Sequence, residues 1–245
     1  MRVAGSIAVV TGANRGLGRA FATALVEMGA AKVYAAARNP GAVALKGVVP
    51  LKLDVTSDED VVAAARAAGD ATLLVNNAGI AKAGGFLADG AVEAAREQFE
   101  VNFFGPLRMV RAFAPILATN GGGAIINVLS IASWMNGPTL ATYGASKSAA
   151  WGLTNGLRLE LAEQGTQVVG LHAGFIDTDL ARDIQAPKSS PEEIVRTTLD
   201  ALERGEGQVL ADEITRQVHR GLSADLPAYF QSTAMLRSRA GLPAD

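Results

Sequence analysis

An alternation restricts this chain more than any other feature. Short apolar runs of strand length are followed by longer segments with helical periodicity, again and again. Ile7–Thr11, Lys32–Ala37, Leu51–Asp54, Thr72–Asn76, Ala124–Leu129, Gln167–Leu171 and Gln208–Ala211 read as seven strands. Strands that are apolar on both faces must be covered on both, and the intervening helices supply that cover. The expected architecture is α/β: one doubly wound domain, with a parallel seven-stranded sheet, helices on both faces and right-handed crossovers.

Helices are expected over Arg15–Met28, from Ser57 onward, from about Ala91 to Ala118 with a kink near Gly105-Pro106, over Thr142–Glu163, and from Pro191 to near Gly205. Two starts carry their own chemistry. Ser57 precedes Asp58, Glu59 and Asp60, and Ser190 precedes Pro191, Glu192 and Glu193; each pairs a capping hydroxyl with acids in the first turn. The connection from Arg38 to Leu51 is too short for a full crossover helix. No repeat, low-complexity tract or linker divides the chain, so residues 1–245 read as one domain, with a less regular segment from about Asp212.

Nearly half of the 245 residues are apolar and 19% are charged, with a formal net charge of −2. That balance gives no reason to expect nucleic acid as a partner. The chain has no cysteine, which excludes disulfide and thiolate chemistry and fits a cytoplasmic protein. Two histidines and no cysteine make a metal site unexpected. No apolar run approaches the roughly 20 residues of a membrane span, and the N-terminus lacks the pattern of a signal peptide.

Thr11-Gly12-Ala13-Asn14-Arg15-Gly16-Leu17-Gly18 lies between the first strand and the first helix. Glycines there permit a tight turn and close approach of backbone to a pyrophosphate, which the helix N-terminus then favours. An acid about 20 residues further on would read a ribose 2′-hydroxyl. The second strand instead ends Ala36-Ala37-Arg38. Arg38, with Arg15 in the glycine turn, suits a 2′-phosphate and so NADP(H); either arginine alone reads equally well as a solvated surface side chain.

Tyr143 and Lys147 lie one helical turn apart after the fifth strand. A phenol titrates near pH 10, and a neighbouring ammonium should bring it closer to the range useful in acid/base catalysis. Taken by itself, such a pair is usually only a surface pair. Ser130 ends the fifth strand, at the sheet edge where ligands of such folds bind, and can donate to a carbonyl oxygen or merely cap a turn. Asn76-Asn77-Ala78-Gly79 reaches the same edge. Asn102 falls in an apolar helical stretch, where a buried amide needs a partner.

Together these residues resemble the short-chain dehydrogenase/reductase family, over about Ser6 to Asp179. The glycine motif is Thr11–Gly18, the adenine-side acid resembles Asp54 in Leu53-Asp54-Val55, the Asn-Asn-Ala-Gly motif is Asn76–Gly79, and the catalytic set falls on Asn102, Ser130, Tyr143 and Lys147. The resemblance implies a Rossmann-type fold and NADP(H)-dependent interconversion of a carbonyl and an alcohol. Tyr143 would be the general acid/base, and Lys147 would lower its pKa and bind the nicotinamide ribose. Ser130 would orient the carbonyl, and Asn102 would hold a helix kink and a water.

The implied cofactor contacts are Gly12, Asn14, Arg15, Gly16, Leu17, Gly18, Arg38, Asp54, Val55, Asn76, Ala78, Gly79, Tyr143, Lys147, Gly174, Ile176 and Thr178. One departure stands out. The family's Asn-Pro-Gly after the sixth strand is here His172-Ala173-Gly174, which removes the fixed φ of proline. The family's glycine-rich tail is also missing, so its usual tetramer is not implied; a homo-oligomer, dimer or tetramer, stays open.

The expected substrate wall comprises Ser130, Ile131, Trp134, Met135, Leu140 and Tyr143, with a lid over 175–190 that includes Phe175. Trp134 and Met135 read equally as core packing. The surroundings are apolar or small, which suits a small uncharged ketone or aldehyde. A non-enzymatic NADP-binding sensor on the same fold is the alternative. A hydrolase would want a Gly-x-Ser-x-Gly elbow, which the sequence lacks; dehydratases and epimerases of the same family stay open.

Overall fold

The computed structural model describes residues 1–182 and 184–223. Seven strands, β1 (Ile7–Thr11), β2 (Lys32–Ala37), β3 (Val49–Lys52), β4 (Leu73–Asn76), β5 (Ala124–Val128), β6 (Gln167–His172) and β7 (Gln208–Leu210), form one sheet in the order β3-β2-β1-β4-β5-β6-β7. Every neighbouring pair is parallel. The chain winds outward from β1 to β3, then returns to the other side of β1 with β4. That reversal opens a crevice at the C-terminal ends of β1 and β4.

The strands are apolar on both faces because each face has its own core. Ala8, Val10, Val33 and Ala35 point toward α1 (Gly16–Glu27) and α6 (Pro191–Glu203), meeting Phe21, Leu25, Ile194, Leu199 and Leu202. Val9, Tyr34, Leu74 and Ile125 point the other way. They meet Val61 of α2 (Asp58–Ala67), Met109, Phe113 and Leu117 of α4 (Gly105–Thr119), and Leu157 of α5 (Ala141–Glu160). Side chains alternate across a strand, so one continuous apolar run feeds both cores.

The expected caps are present. Ser57 accepts from the Asp60 N–H at 3.2 Å and Ser190 from the Glu193 N–H at 3.1 Å. Between β2 and β3 there is only a short 3₁₀ turn, Pro40–Ala42. Other expectations are corrected. The third strand starts earlier than Leu51, because Pro50 is tolerated on this edge strand, where its missing N–H breaks no central ladder.

The long helix from Ala91 divides into α3 (Ala91–Phe99), a π-helical turn (Glu100–Phe104) and α4, so the irregularity precedes Gly105-Pro106. The segment after Asp212 opens as a regular helix, α7 (Glu213–Gly221), capped by Asp212 through the Thr215 N–H at 2.8 Å. The remainder of the segment expected to be irregular, residues 224–245, lies outside the described residues. Among the described residues no helix is long and apolar enough to cross a membrane.

Candidate active site

The glycine turn is braced by β4. Thr11 Oγ1 accepts from the Asn77 and Ala78 N–H groups at 3.0 and 2.9 Å, and Asn77 Nδ2 donates to the Thr11 carbonyl at 2.8 Å. Gly12 has φ +67°, and a Cβ there would stand 3.1 Å from Ala78 Cα. A Cβ on Gly18 would collide with the Gly12 carbonyl and the Asn77 amide. Helix α1 then begins with no side chain capping it and no acid in its first turn. Its free N–H groups and partial positive charge face the turn, which fits the pyrophosphate of a dinucleotide.

The other predicted cofactor contacts divide. Asn14 and Arg38 are exposed, while Leu17 is buried in the core beneath the turn. Arg38 makes no ion pair among the described residues. Arg15 is paired with Asp179 at 3.3 Å. Asp54 Oδ1 is held by the Thr56 N–H and hydroxyl at 3.0 and 2.7 Å. Val55 is buried, and a Cβ on Gly105 would meet it at 2.9 Å. Asn76 turns inward: its amide donates to Asn127 at 2.9 Å, and Asn127 donates to Thr154 at 3.0 Å.

The expected catalytic set does converge. Gly79 sits where a Cβ would lie 3.2 Å from Asn102 Oδ1 and 3.7 Å from Lys147 Nζ. Lys147 Nζ lies 5.8 Å from the Tyr143 ring centre and donates to the Val128 carbonyl at 2.8 Å. Burial lowers the Lys147 pKa to about 8. Desolvation raises the pKa of the half-buried Tyr143 phenol above its ordinary value, with the nearby Ser130 hydroxyl pulling the other way. This corrects the expectation of a lowered value, since desolvation of the phenolate outweighs its stabilisation here. Tyr143 is therefore a protonated donor at neutral pH. Ser130 is buried, lies two residues past the end of β5 and caps the 3₁₀ turn Ile131–Ser133, with its Oγ accepting from the Ala132 N–H at 3.1 Å.

Asn102 lies in the π-helical turn and is held there by protein groups. Its Oδ1 accepts from the Ile80 N–H, and its Nδ2 donates to the Ile80 carbonyl and to Ser146, each near 3 Å. One helical turn earlier Gln98, fully buried, repeats the pattern. Its Oε1 accepts from the Lys82 N–H at 2.9 Å and its Nε2 donates to Thr142 at 2.6 Å. Two amides on one helix face thus hold segment 80–82 and two hydroxyls, each directly preceding Tyr143 or Lys147. The sequence signal for Gln98 was its i, i+4 spacing to Asn102, which carries weight only once the partners are known.

The end of β6, where alanine stands in place of the expected proline, is fixed by hydrogen bonds on either side. The Ile131 N–H donates to the Ala173 carbonyl at 2.9 Å, and His172 Nδ1 donates to the Ser130 carbonyl at 3.1 Å. The Gly174 N–H is taken by Asp212 at 2.7 Å. The lid closes on itself: the Asp177 N–H donates to the Ser189 carbonyl, and the Ser189 N–H to the Phe175 carbonyl, both at 2.9 Å. Ile176 and Thr178 are half-buried along this strap, and Phe175 is exposed. Ile131 is half-buried beside Ser130. Trp134, expected in the substrate wall, stacks on His172 and meets Trp151 edge-on, so much of its surface is spent on packing.

This geometry has close relatives. The crystal structure of a short chain dehydrogenase from Burkholderia cenocepacia in complex with NADP superposes with a TM-score of 0.89 at 42% identity, covering 99% of this chain and 100% of that one. A short chain dehydrogenase/reductase from Burkholderia phymatum in complex with NAD gives 0.80 at 27% identity, covering 91% and 95%. A short chain dehydrogenase of Aspergillus terreus is 36% identical over 74% of this chain, which spans 43% of that protein's length. The family model described as short chain dehydrogenase matches residues 6–189. With the glycine turn, Ser130, Tyr143 and Lys147 gathered at one crevice, the chain belongs to the short chain dehydrogenase family of oxidoreductases.

Proposed function

We propose that this protein reduces a small uncharged ketone or aldehyde to the alcohol with NADPH, reversibly. The observation that carries the reading is the Tyr143 phenol with the buried Lys147 ammonium 5.8 Å from its ring centre and the buried Ser130 at the same crevice, which begins in the glycine cradle. Gly12, Gly16, Gly18 and the first turn of α1 would hold the pyrophosphate, and Arg15 and Arg38 the 2′-phosphate. The complex of the Burkholderia cenocepacia relative with NADP supports that choice, and the NAD complex of the second relative makes the arginines the deciding feature.

When bound, the reduced nicotinamide supplies a hydride to the carbonyl carbon. The chain's residues do the rest. Ser130 and Tyr143 donate hydrogen bonds to the carbonyl oxygen, which fixes the carbon and stabilises charge as it develops on oxygen. Tyr143 then gives its proton to that oxygen, completing the alcohol. Lys147 has three donors, of which Val128 takes one, and the others serve the ribose and the nascent phenolate. In the oxidative direction Tyr143 accepts the proton. The test is loss of NADPH absorbance with a panel of neutral ketones and aldehydes. Turnover that falls at least a hundredfold in Tyr143→Phe supports the reading, and NADPH binding without turnover on any carbonyl defeats it in favour of a sensor.

A further inference from the structure

Arg15, assigned above to the cofactor phosphate, is already engaged, and its partner belongs to the lid. Asp179 begins the 3₁₀ turn Asp179–Ala181, directly after Thr178. That turn rests on the glycine turn, since a Cβ on Gly16 would lie 3.3 Å from the Thr178 methyl. Asp179 is shared. One carboxylate oxygen takes Arg15 at 3.3 Å, and the other takes Arg182 in a shorter bond. Arg182 is the larger cause of the depressed Asp179 pKa, and Arg15 the smaller. Asp179 therefore keeps a close cation if Arg15 leaves. The Arg15 pair is also exposed, the class of ion pair that costs least to break.

We infer that Asp179 competes with the 2′-phosphate for Arg15, so that this lid residue sets how strongly the protein prefers NADP(H) to NAD(H). The inference rests on the NADP(H) reading above. Two anions face one guanidinium, and the phosphate carries the larger charge and a geometry that matches the guanidinium fork. Binding of the phosphorylated nucleotide draws Arg15 away and releases the root of the lid from the glycine turn. NAD(H), without the 2′-phosphate, leaves the latch closed.

The experiment is fluorescence titration of NADPH and NADH, at one fixed low ionic strength, into the wild type and three variants. Asp179→Asn should tighten NADPH roughly two- to fivefold, the range an exposed ion pair commands, and leave NADH within twofold. In an Arg15→Ala background the same substitution should give no gain. Arg182→Ala should act in the opposite direction and weaken NADPH, because Asp179 then holds Arg15 alone. An unchanged or weakened NADPH affinity in Asp179→Asn, or equal tightening of both nucleotides, overturns the inference while leaving the cofactor reading intact. A wild type that binds NADH better than NADPH overturns the cofactor reading, and this inference with it.

Discussion

The His172 imidazole lies flat against the Trp134 indole, with ring centroids 3.8 Å apart and planes 18° apart. Trp134 also meets Trp151 and His219, so both tryptophans and both histidines of the chain form one cluster at the end of β6. His172 is fully buried, and its Nδ1 must carry the proton because its partner, the Ser130 carbonyl, can only accept. The cluster thereby positions the strand end that presents the Ser130 hydroxyl.

A pH dependence of stability follows from that burial. Desolvation lowers the His172 pKa from 6.5 to about 4. The unfolded chain binds this proton near pH 6.5 and the folded chain only near 4, so stability is complete above pH 6.5 and falls as the pH drops through that window. The full loss is on the order of 3 kcal/mol. Urea unfolding between pH 7 and 4.5 measures it. His172→Asn should be less stable at pH 7, through lost stacking, yet show a flatter decline toward acid. An equally steep decline in the variant would place the effect in other groups.

Tyr143 and Lys147 give a second pH prediction, with two readouts. The wild-type minus Tyr143→Phe ultraviolet difference titration should show phenolate forming above pH 10 in the cofactor-free protein, since burial raises the phenol. Lys147 loses its proton near pH 8 as burial lowers its value. Carbonyl reduction should accordingly decline as the pH rises through 8, while Tyr143 stays protonated. A phenolate midpoint below 10 would show that the ammonium, and not burial, governs the tyrosine.

Gln98 should matter as much as a core residue. Replacing it by Leu leaves the buried Thr142 hydroxyl and the Lys82 N–H without their partner, a cost of about 1–3 kcal/mol in unfolding free energy. Thr142→Ser should retain most of the bond and most of the stability. Equal urea midpoints for Gln98→Leu and the wild type would mean that the interaction with Thr142 contributes nothing net.

What the sequence made legible was local. The apolar runs, the caps at Ser57 and Ser190, and the glycine turn are each specified by residues within a few positions of one another, and the sheet followed from their alternation. What stayed hidden depends on distant pairs. Asn76 looked like a crevice residue because its motif reaches the sheet edge, but its amide nitrogen donates to Asn127, a neighbour only once β4 and β5 pair. Trp134 read equally as substrate wall or core packing because nothing local announces His172 beneath it. The helix after Asp212 was obscured for another reason. It is short and mostly polar, with only Ile214 and Val218, one helical turn apart, marking an apolar stripe.

Arg38 provides the sharpest test of the cofactor reading. It directly follows β2, exposed and without an ion pair among the described residues, where an acid would instead bond a ribose 2′-hydroxyl. Arg38→Asp should therefore do two things at once: remove a charge-assisted bond to the 2′-phosphate and add repulsion against it. Charge-assisted bonds are worth about 1.5–3 kcal/mol, so the loss in NADPH affinity should be roughly 10- to 100-fold. NADH affinity should hold or improve, because the new carboxylate can accept from the free 2′-hydroxyl. Arg38→Ala separates the two effects: it should weaken NADPH without strengthening NADH. Parallel binding titrations with both nucleotides decide the matter, and a variant that keeps its NADPH preference would place the phosphate site away from the end of β2.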